Sequence, residues 1–319
     1  MKSSFEIKKL ISKFDKNLEN IIQEDIPVLK QIKKFVITSG GKRIRPVTHY
    51  LFCKFLKVNL KDNHWLDVGS VAELIHAASL LHDDVVDNAS IRRGKPTVGA
   101  KFGNKTAILA GDYLLACGIS QLNRLNSPEI MEIFTKVLRE LSVSELLQME
   151  WEKNPKITLK IYNSIIYGKT ASLFGACTES GAVLAGLVGK QRTEILEYGI
   201  RLGLLFQKKD DCLDYFTDSR ESGKEFLKDF YNGLYTYPIL VLRERADRSD
   251  KKVISNLFSK ESRTSFESQM ILELMQKYQI QNHLNHELKK EKEYLMNFLN
   301  RFEDSNEKTL FVEQLSKLG

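Results

Sequence analysis

Helical periodicity runs along nearly the whole chain, and this feature most restricts what the chain can fold into. Apolar residues recur at spacings of three and four, whereas the alternation typical of a β-strand is not convincing anywhere. Only 6 prolines and 18 glycines interrupt 319 residues, of which 42% are hydrophobic, so a well-buried helical globule is expected. Helices are predicted near residues 4–20, 24–38, 43–57, 65–88, 105–125, 128–153, 158–187, 190–217 and 233–246. The sequence therefore predicts an all-α fold.

The chain carries no sign of a division into domains. No linker rich in proline or serine and no shift in composition separates one part from another, so a single domain over residues 1–319 is expected. The part at 247–319 is more charged, and we interpret it as amphipathic helices that cover the core.

Charge and cysteine usage restrict the cellular setting. The net charge of +7 would suit nucleic acid, a membrane surface or an anionic small substrate. A basic stripe interleaved with aromatic residues is missing, so nucleic acid is not expected as a partner. The four cysteines lack metal-binding or framework spacing and suit reduced thiols, and the start at Met1 lacks the apolar segment of a signal peptide. We therefore expect a cytoplasmic protein.

Two acidic clusters of the same form, D-D-x-x-D, stand out from this background. They are Asp83-Asp84-Val85-Val86-Asp87 and Asp210-Asp211-Cys212-Leu213-Asp214. On a helix, the first and last aspartates of each cluster share a face, where like charges repel. Something cationic is therefore expected to neutralise each cluster.

The surroundings of the clusters indicate which cation this is. Apolar residues 77–81 precede the first cluster and apolar residues 203–206 precede the second, which places the carboxylates at the mouth of a cavity. The clusters lack the histidine and cysteine expected for zinc and the glycine and alternating ligands of a calcium loop. Mg²⁺, which joins a few carboxylates to substrate phosphates, fits this oxygen-rich pattern.

Cations beside glycine complete the pattern. They occur in Gly40-Gly41-Lys42-Arg43-Ile44-Arg45-Pro46, Arg92-Arg93-Gly94-Lys95, Gly168-Lys169-Thr170 and Gly223-Lys224. Arginine binds phosphate through a planar fork and lysine binds it as a point charge. Because the chain lacks a G-x-x-x-x-G-K-[ST] loop, a nucleotide is not indicated, and diphosphate is the natural ligand.

With these motifs in place, the chain resembles the trans-type prenyl diphosphate synthases of the polyprenyl synthetase family over about residues 35–245. The likeness rests on residues 40–46, 73–76, 111–115, 169–174 and 206–207, together with both acidic clusters. It implies a helical bundle around a deep central cavity, usually in a homodimer. Isopentenyl diphosphate and an allylic prenyl diphosphate would be its substrates.

The resemblance also implies roles for individual residues. The ligands of about two or three Mg²⁺ ions would be Asp83, Asp84, Asp87, Asp210, Asp211 and Asp214. Contacts to the allylic diphosphate would come from Arg92, Lys169 and Lys224. The isopentenyl headgroup would be bound by Lys42, Arg45, His76 and Arg93. Thr170 and Gln207 would line the allylic cation.

Product length is expected to depend on the helix that leads to Asp83. Ser79 and Ala78, four and five residues earlier, are small, whereas short-chain members of the family carry bulky aromatic residues there. Ile75 lies one level deeper. The lack of a bulky residue there predicts a long product of about seven to ten isoprene units. We expect such a product to serve quinone side chains, and its release to involve a peripheral membrane contact.

Two alternatives remain open, and departures from the family pattern bear on the first of them. Lys208 replaces an apolar residue after Gln207, and Leu234 replaces a lysine, whose contact Lys208 or Lys228 could supply. One alternative is a non-catalytic or partner subunit of a heteromeric synthase. The other is a terpene cyclase. Both complete aspartate clusters favour the synthase.

Overall fold

The structure, a computed structural model, describes residues 2–23, 25–38, 43–92, 94–216 and 226–316. These residues are helical almost throughout, which confirms the predicted all-α fold class. The helices up to residue 151 are α1 (Lys2–Ile21), α2 (Pro27–Thr38), α3 (Ile44–Phe55), α4 (His64–Val86), α5 (Val98–Phe102), α6 (Asn104–Arg124) and α7 (Pro128–Trp151). Those that follow are α8 (Leu159–Ile166), α9 (Ser172–Leu184), α10 (Gly189–Phe216), α11 (Lys228–Asn232), α12 (Tyr237–Arg245), α13 (Arg248–Phe258), α14 (Ser265–Lys277), α15 (Ile280–Leu299) and α16 (Asn306–Ser316).

Two local features differ from the sequence-based expectations. A short antiparallel hairpin, β1 (Ile91–Arg92) and β2 (Lys95–Pro96), follows the first cluster. The helix predicted over 158–187 is instead α8 and α9, joined by a π-helical turn at Tyr167–Ala171. Among the described residues, no helix is both long and apolar enough to span a membrane.

The described residues form two compact units. The first unit comprises those up to Leu138 with Leu173–Gly199 and Phe302–Phe311. The second unit comprises Arg139–Ser172, Ile200–Arg301 and those from Val312 onwards. The expectation of a single domain remains a prediction.

In the first unit, α4 is buried on nearly all sides because it is apolar on nearly all sides. Two glycines of α6 allow close packing against it. A Cβ atom at Gly111 would lie 2.2 Å from Nε2 of His82, and one at Gly118 would lie 3.3 Å from Cγ1 of Val71. These positions require glycine or the smallest side chains, so α6 can support the helix that carries the first cluster.

A buried arginine joins four helices of this unit. Arg43 Nη1 lies 2.7 Å from Oε1 of Glu73 on α4, and Nη2 lies 3.0 Å from Oδ1 of Asp15 on α1. Nη2 also donates to the carbonyl oxygens of Val36 and Ile37 on α2, each at 3.1 Å. Arg43 immediately precedes α3, so one cation links the start of α3 and the end of α2 to the middle of α1 and of α4.

We expect Arg43→Ala to lower the free energy of unfolding by about 3 kcal/mol or more, because it leaves buried Glu73 without its partner. The matched control is Lys57→Ala, which breaks an exposed pair with Glu303 and should cost less than about 1 kcal/mol. Urea unfolding of both variants measures the difference. Equal losses of the free energy of unfolding in the two variants would show that the buried ion pair stabilises the fold no more than the exposed one.

Candidate active site

The first aspartate cluster straddles the end of α4. Asp87 caps the helix, and its N–H donates to the carbonyl oxygen of Asp83 at 2.8 Å. Asp84 is buried, Asp83 is half-buried and Asp87 is exposed. The three carboxylates therefore have different surroundings, although they come from one short motif.

The hairpin returns Arg92 to the buried member of the cluster. Gly94, with φ of 73°, supplies the left-handed conformation in the turn between β1 and β2. Arg92 Nε then donates to Oδ1 of Asp84 at 2.6 Å, while Thr97 Oγ1 donates to the carbonyl oxygen of Ala89 at 2.8 Å. In this structure Asp84, a predicted metal ligand, is thus neutralised by Arg92, a predicted diphosphate contact.

The other predicted residues of the first unit lie on α3 and α4. The Arg45 guanidinium lies over the ring of Phe174, with 5.0 Å from Cζ to the ring centroid. His76 is half-buried, and its carbonyl oxygen accepts from Ser79 Oγ at 2.9 Å. Lys42 and Arg93 lie outside the described residues.

Of the predicted chain-length residues, Ile75 and Ala78 are buried and Ser79 is half-buried. Ala78 belongs to an apolar cluster that includes Leu74 and Leu81 of α4 and Leu114 of α6. The position that a bulky residue would occupy is therefore well packed.

In the second unit, the π-helical turn places Lys169 and Thr170. Gly168 permits this turn, because a Cβ there would lie 2.5 Å from Cβ of Ser144 on α7. Lys169 Nζ donates to Oε2 of Glu145 at 2.8 Å and to Oε1 of Gln148 at 3.1 Å. Sequence reasoning missed both α7 partners, whose spacing of three places them on one face of the helix.

A chain of hydrogen bonds connects Thr170 to the second aspartate cluster. Thr170 Oγ1 donates to Oε1 of Gln207 at 2.8 Å, and Gln207 Nε2 donates to Oδ1 of Asp211 at 2.9 Å. The other carboxylate oxygen of Asp211 accepts from the hydroxyl of Tyr162 at 2.6 Å and from the backbone N–H of Tyr237 at 3.4 Å. The structure thus brings together three predicted residues and adds Tyr162, which sequence reasoning missed.

The Asp214 carboxylate accepts hydrogen bonds from the start of α11. Its Oδ1 accepts from the backbone N–H of Lys228 at 3.1 Å, and its Oδ2 accepts from that of Asp229 at 3.0 Å. These are the first N–H groups of α11, which lack partners within the helix. Lys224, predicted as a diphosphate contact, lies outside the described residues.

The second cluster concentrates negative charge in a poorly solvated place. Burial raises the pKa of Asp211, and the hydrogen bonds from Tyr162, Gln207 and Tyr237 only partly oppose this effect. Burial, together with repulsion from Asp211 and Asp214, also raises the pKa of Asp229, a carboxylate that the sequence analysis did not select. The cluster therefore favours a bound cation.

The two lysines considered as substitutes for a missing contact are placed differently. Lys208 Nζ lies 5.0 Å from the ring centroid of Tyr237, and burial lowers its pKa despite the opposing charges of Glu291 and Glu287. Lys228 is exposed. Neither position decides the hypothesis, which remains a prediction.

The donor chemistry of both clusters fits a hard divalent cation. Among the residues that the structure describes, no group of three histidine, cysteine, aspartate or glutamate side chains is arranged as a finished metal site. The available donors are carboxylate oxygens, which suit Mg²⁺ or Ca²⁺ rather than zinc. Because Mg²⁺ uses few protein carboxylates and completes its shell with water and phosphate, the residues present fit it.

Known proteins share the sequence and the fold of this chain. The polyprenyl synthetase family model matches residues 26–275. Octaprenyl diphosphate synthase of Escherichia coli (strain K12) is 35% identical over 219 residues, which cover 69% of this chain and 67% of that protein. The crystal structure of a decaprenyl diphosphate synthase from Rhodobacter capsulatus matches with a TM-score of 0.90 and 26% identity, covering 99% of this chain and 97% of that one. Polyprenyl synthase from Caulobacter crescentus CB15, complexed with calcium and isoprenyl diphosphate, matches with a TM-score of 0.85 and 26% identity, covering 99% and 94%.

The chain therefore belongs to the polyprenyl synthetase family. It is a trans-prenyl diphosphate synthase, that is, a prenyltransferase. The resemblance over about residues 35–245 is confirmed, and the match extends further in both directions. The family acts on diphosphate substrates with divalent metal ions, and the Caulobacter structure contains calcium.

We expect the aspartates of the first cluster to differ in their effect on stability. Asp84→Asn should lower the free energy of unfolding by about 1–3 kcal/mol, because it removes the buried charge that holds Arg92. Asp87→Asn should change it by less than about 0.5 kcal/mol, because Asp87 is exposed. Urea unfolding without Mg²⁺ measures both values, and similar losses would contradict the distinction.

Proposed function

We propose that this enzyme condenses isopentenyl diphosphate with an allylic prenyl diphosphate to give a long-chain, all-trans polyprenyl diphosphate for quinone side chains. The observation that carries the proposal is that both aspartate clusters are complete and that a buried carboxylate of each accepts hydrogen bonds from neighbouring side chains. The octaprenyl and decaprenyl synthases among its relatives support a long product.

The aspartates differ in their contacts and in their exposure. Asp84 binds Arg92, Asp211 accepts three hydrogen bonds and Asp214 caps α11, so these contacts maintain the shape of their surroundings. Asp84 and Asp211 are buried, whereas Asp83, Asp87, Asp210 and Asp214 reach solvent and are therefore the accessible candidates for Mg²⁺. Bound Mg²⁺ stabilises the negative charge that develops on a departing diphosphate.

Cationic and polar side chains then act on the substrates. Arg92 and Lys169 contact the allylic diphosphate, and Lys169 exchanges Glu145 for phosphate oxygen as it does so. Arg45 and His76 hold the isopentenyl headgroup. The oxygen atoms of Thr170 and Gln207 face the positive charge of the allylic group, and apolar surroundings keep water from reacting with it.

We also propose that the enzyme is a homodimer. In the first unit, α6 exposes Ile108 and Leu109. In the second unit, α7 exposes Val143, Leu146 and Met149, which follow one another at intervals of three. Contiguous exposed apolar side chains mark contact surfaces for other proteins.

A cytoplasmic location is also part of the proposal. The four cysteines are free thiols, which agrees with this location.

Purified protein incubated with Mg²⁺, isopentenyl diphosphate and farnesyl diphosphate should form linear prenyl diphosphates, and light scattering of the same sample should give the mass of two chains. Chromatography of the dephosphorylated products identifies them. A cyclic hydrocarbon would indicate a terpene cyclase. Turnover that requires a second protein would indicate a partner subunit.

We expect Ala78→Phe to shorten the product, because the ring adds volume at a fully buried position below the first cluster. Ser79→Phe, at the half-buried neighbouring position, provides a second variant if overpacking prevents folding. The chain length of the dephosphorylated product is the measurement. Wild-type length in both folded variants would refute the proposed path of the growing chain.

A further inference from the structure

The polarity of the hydrogen-bond chain at the second cluster is fixed by its charged end. Ionised Asp211 can only accept hydrogen bonds, so the Gln207 atom that faces it is the amide nitrogen. The amide oxygen of Gln207 consequently faces Thr170, whose hydroxyl must donate. Gln207 and Thr170 therefore each donate one hydrogen bond within this network, and the oxygen atom of each keeps lone pairs for another ligand.

Tyr162 determines which oxygen of Asp211 remains for Gln207. Its hydroxyl and the backbone N–H of Tyr237 both donate to Oδ2, which leaves Oδ1 to the Gln207 amide. The phenol is itself held firmly, because it is buried and its ring stacks on that of Tyr237 with 6.0 Å between centroids and 12° between planes. A tyrosine hydroxyl is protonated at neutral pH, so the phenol is the donor to the Asp211 carboxylate.

We propose that Tyr162 is a positioning residue of the synthase, which acts through Asp211 to keep the oxygen atoms of Gln207 and Thr170 directed at the allylic cation. This role rests on the proposed function. Without the Tyr162 hydroxyl, the carboxylate loses its strongest neutral donor and can turn. The Gln207 amide can then turn as well and present N–H groups, which repel positive charge.

Tyr162→Phe removes the hydroxyl and keeps the ring, so it isolates this contact. We expect kcat to fall about tenfold or more, as the loss of a hydrogen bond to a charged group implies. The KM for isopentenyl diphosphate should change less than about twofold, because its proposed contacts, Arg45 and His76, lie on α3 and α4. Tyr278→Phe is the matched control, because it breaks a similar bond to Asp250, 2.8 Å long, outside the cluster. It should leave kcat unchanged.

A double-mutant cycle with Gln207→Ala separates positioning from general structural support. If Tyr162 acts through Gln207, Tyr162→Phe should lower kcat by less than about twofold in the Gln207→Ala background. The same loss in both backgrounds would overturn the proposal. Wild-type kcat in the single Tyr162→Phe variant would overturn it too.

Asp211→Asn provides a second test if Tyr162→Phe does not fold. The amide of the new asparagine can donate to Gln207 and so permits the Gln207 amide to bind in the reversed orientation. We therefore expect a lower kcat. This loss should again not add to the effect of Gln207→Ala. Recovery of its kcat by excess Mg²⁺ would show that Asp211 binds metal instead, and would overturn the proposal. A wild-type protein that forms no prenyl product would refute the proposed function itself, whereas an active wild type with additive variants refutes only the role of Tyr162.

Discussion

Carboxylates that are enclosed in a helical core require donors or cations, and the arrangement of both units follows from this requirement. A buried charge without a partner costs several kcal/mol, which is a large part of the stability of an ordinary domain. Three enclosed carboxylates illustrate this requirement. Glu73 pairs with Arg43, Asp84 pairs with Arg92, and Asp211 receives Tyr162, Gln207 and the backbone of Tyr237.

The buried carboxylates of the two aspartate clusters have different kinds of partner. Asp84 obtains a full positive charge from Arg92, eight residues along the chain, through a short hairpin. Asp211 obtains neutral donors, of which Tyr162 lies 49 residues away. Neutral donors stabilise an anion without cancelling its charge. Asp211 therefore keeps its negative charge, which contributes to the raised pKa of Asp229.

Much of this architecture could be predicted from sequence, because it is local. The periodicity predicted α4 and α10 within a few residues, and Gly94 marked the turn between β1 and β2. The predicted helix at 233–246 begins only at Tyr237, because Gly233 is left-handed, with φ of 74°, and Pro238 fits the first helical turn. The π-helical turn could not be predicted, because it depends on the approach of α7 to Gly168 and not on a pattern within 158–187.

The partners of the candidate site were harder to predict for the same reason. Glu145 and Tyr162 reach their partners across helices, at separations of 24 and 49 residues, and a single sequence does not show how two helices align with each other.

Lys208 shows that closeness in sequence can also mislead. Its place beside Asp210 in sequence suggested a phosphate contact, yet its ammonium group lies over Tyr237. The same ring that Lys208 covers also stacks on Tyr162, so a cation that departs from the family pattern contacts the element that holds Asp211. A residue that departs from the family pattern near a motif can thus pack against the residues that hold the motif instead of contacting the substrate. Only the direction of its side chain distinguishes these two roles.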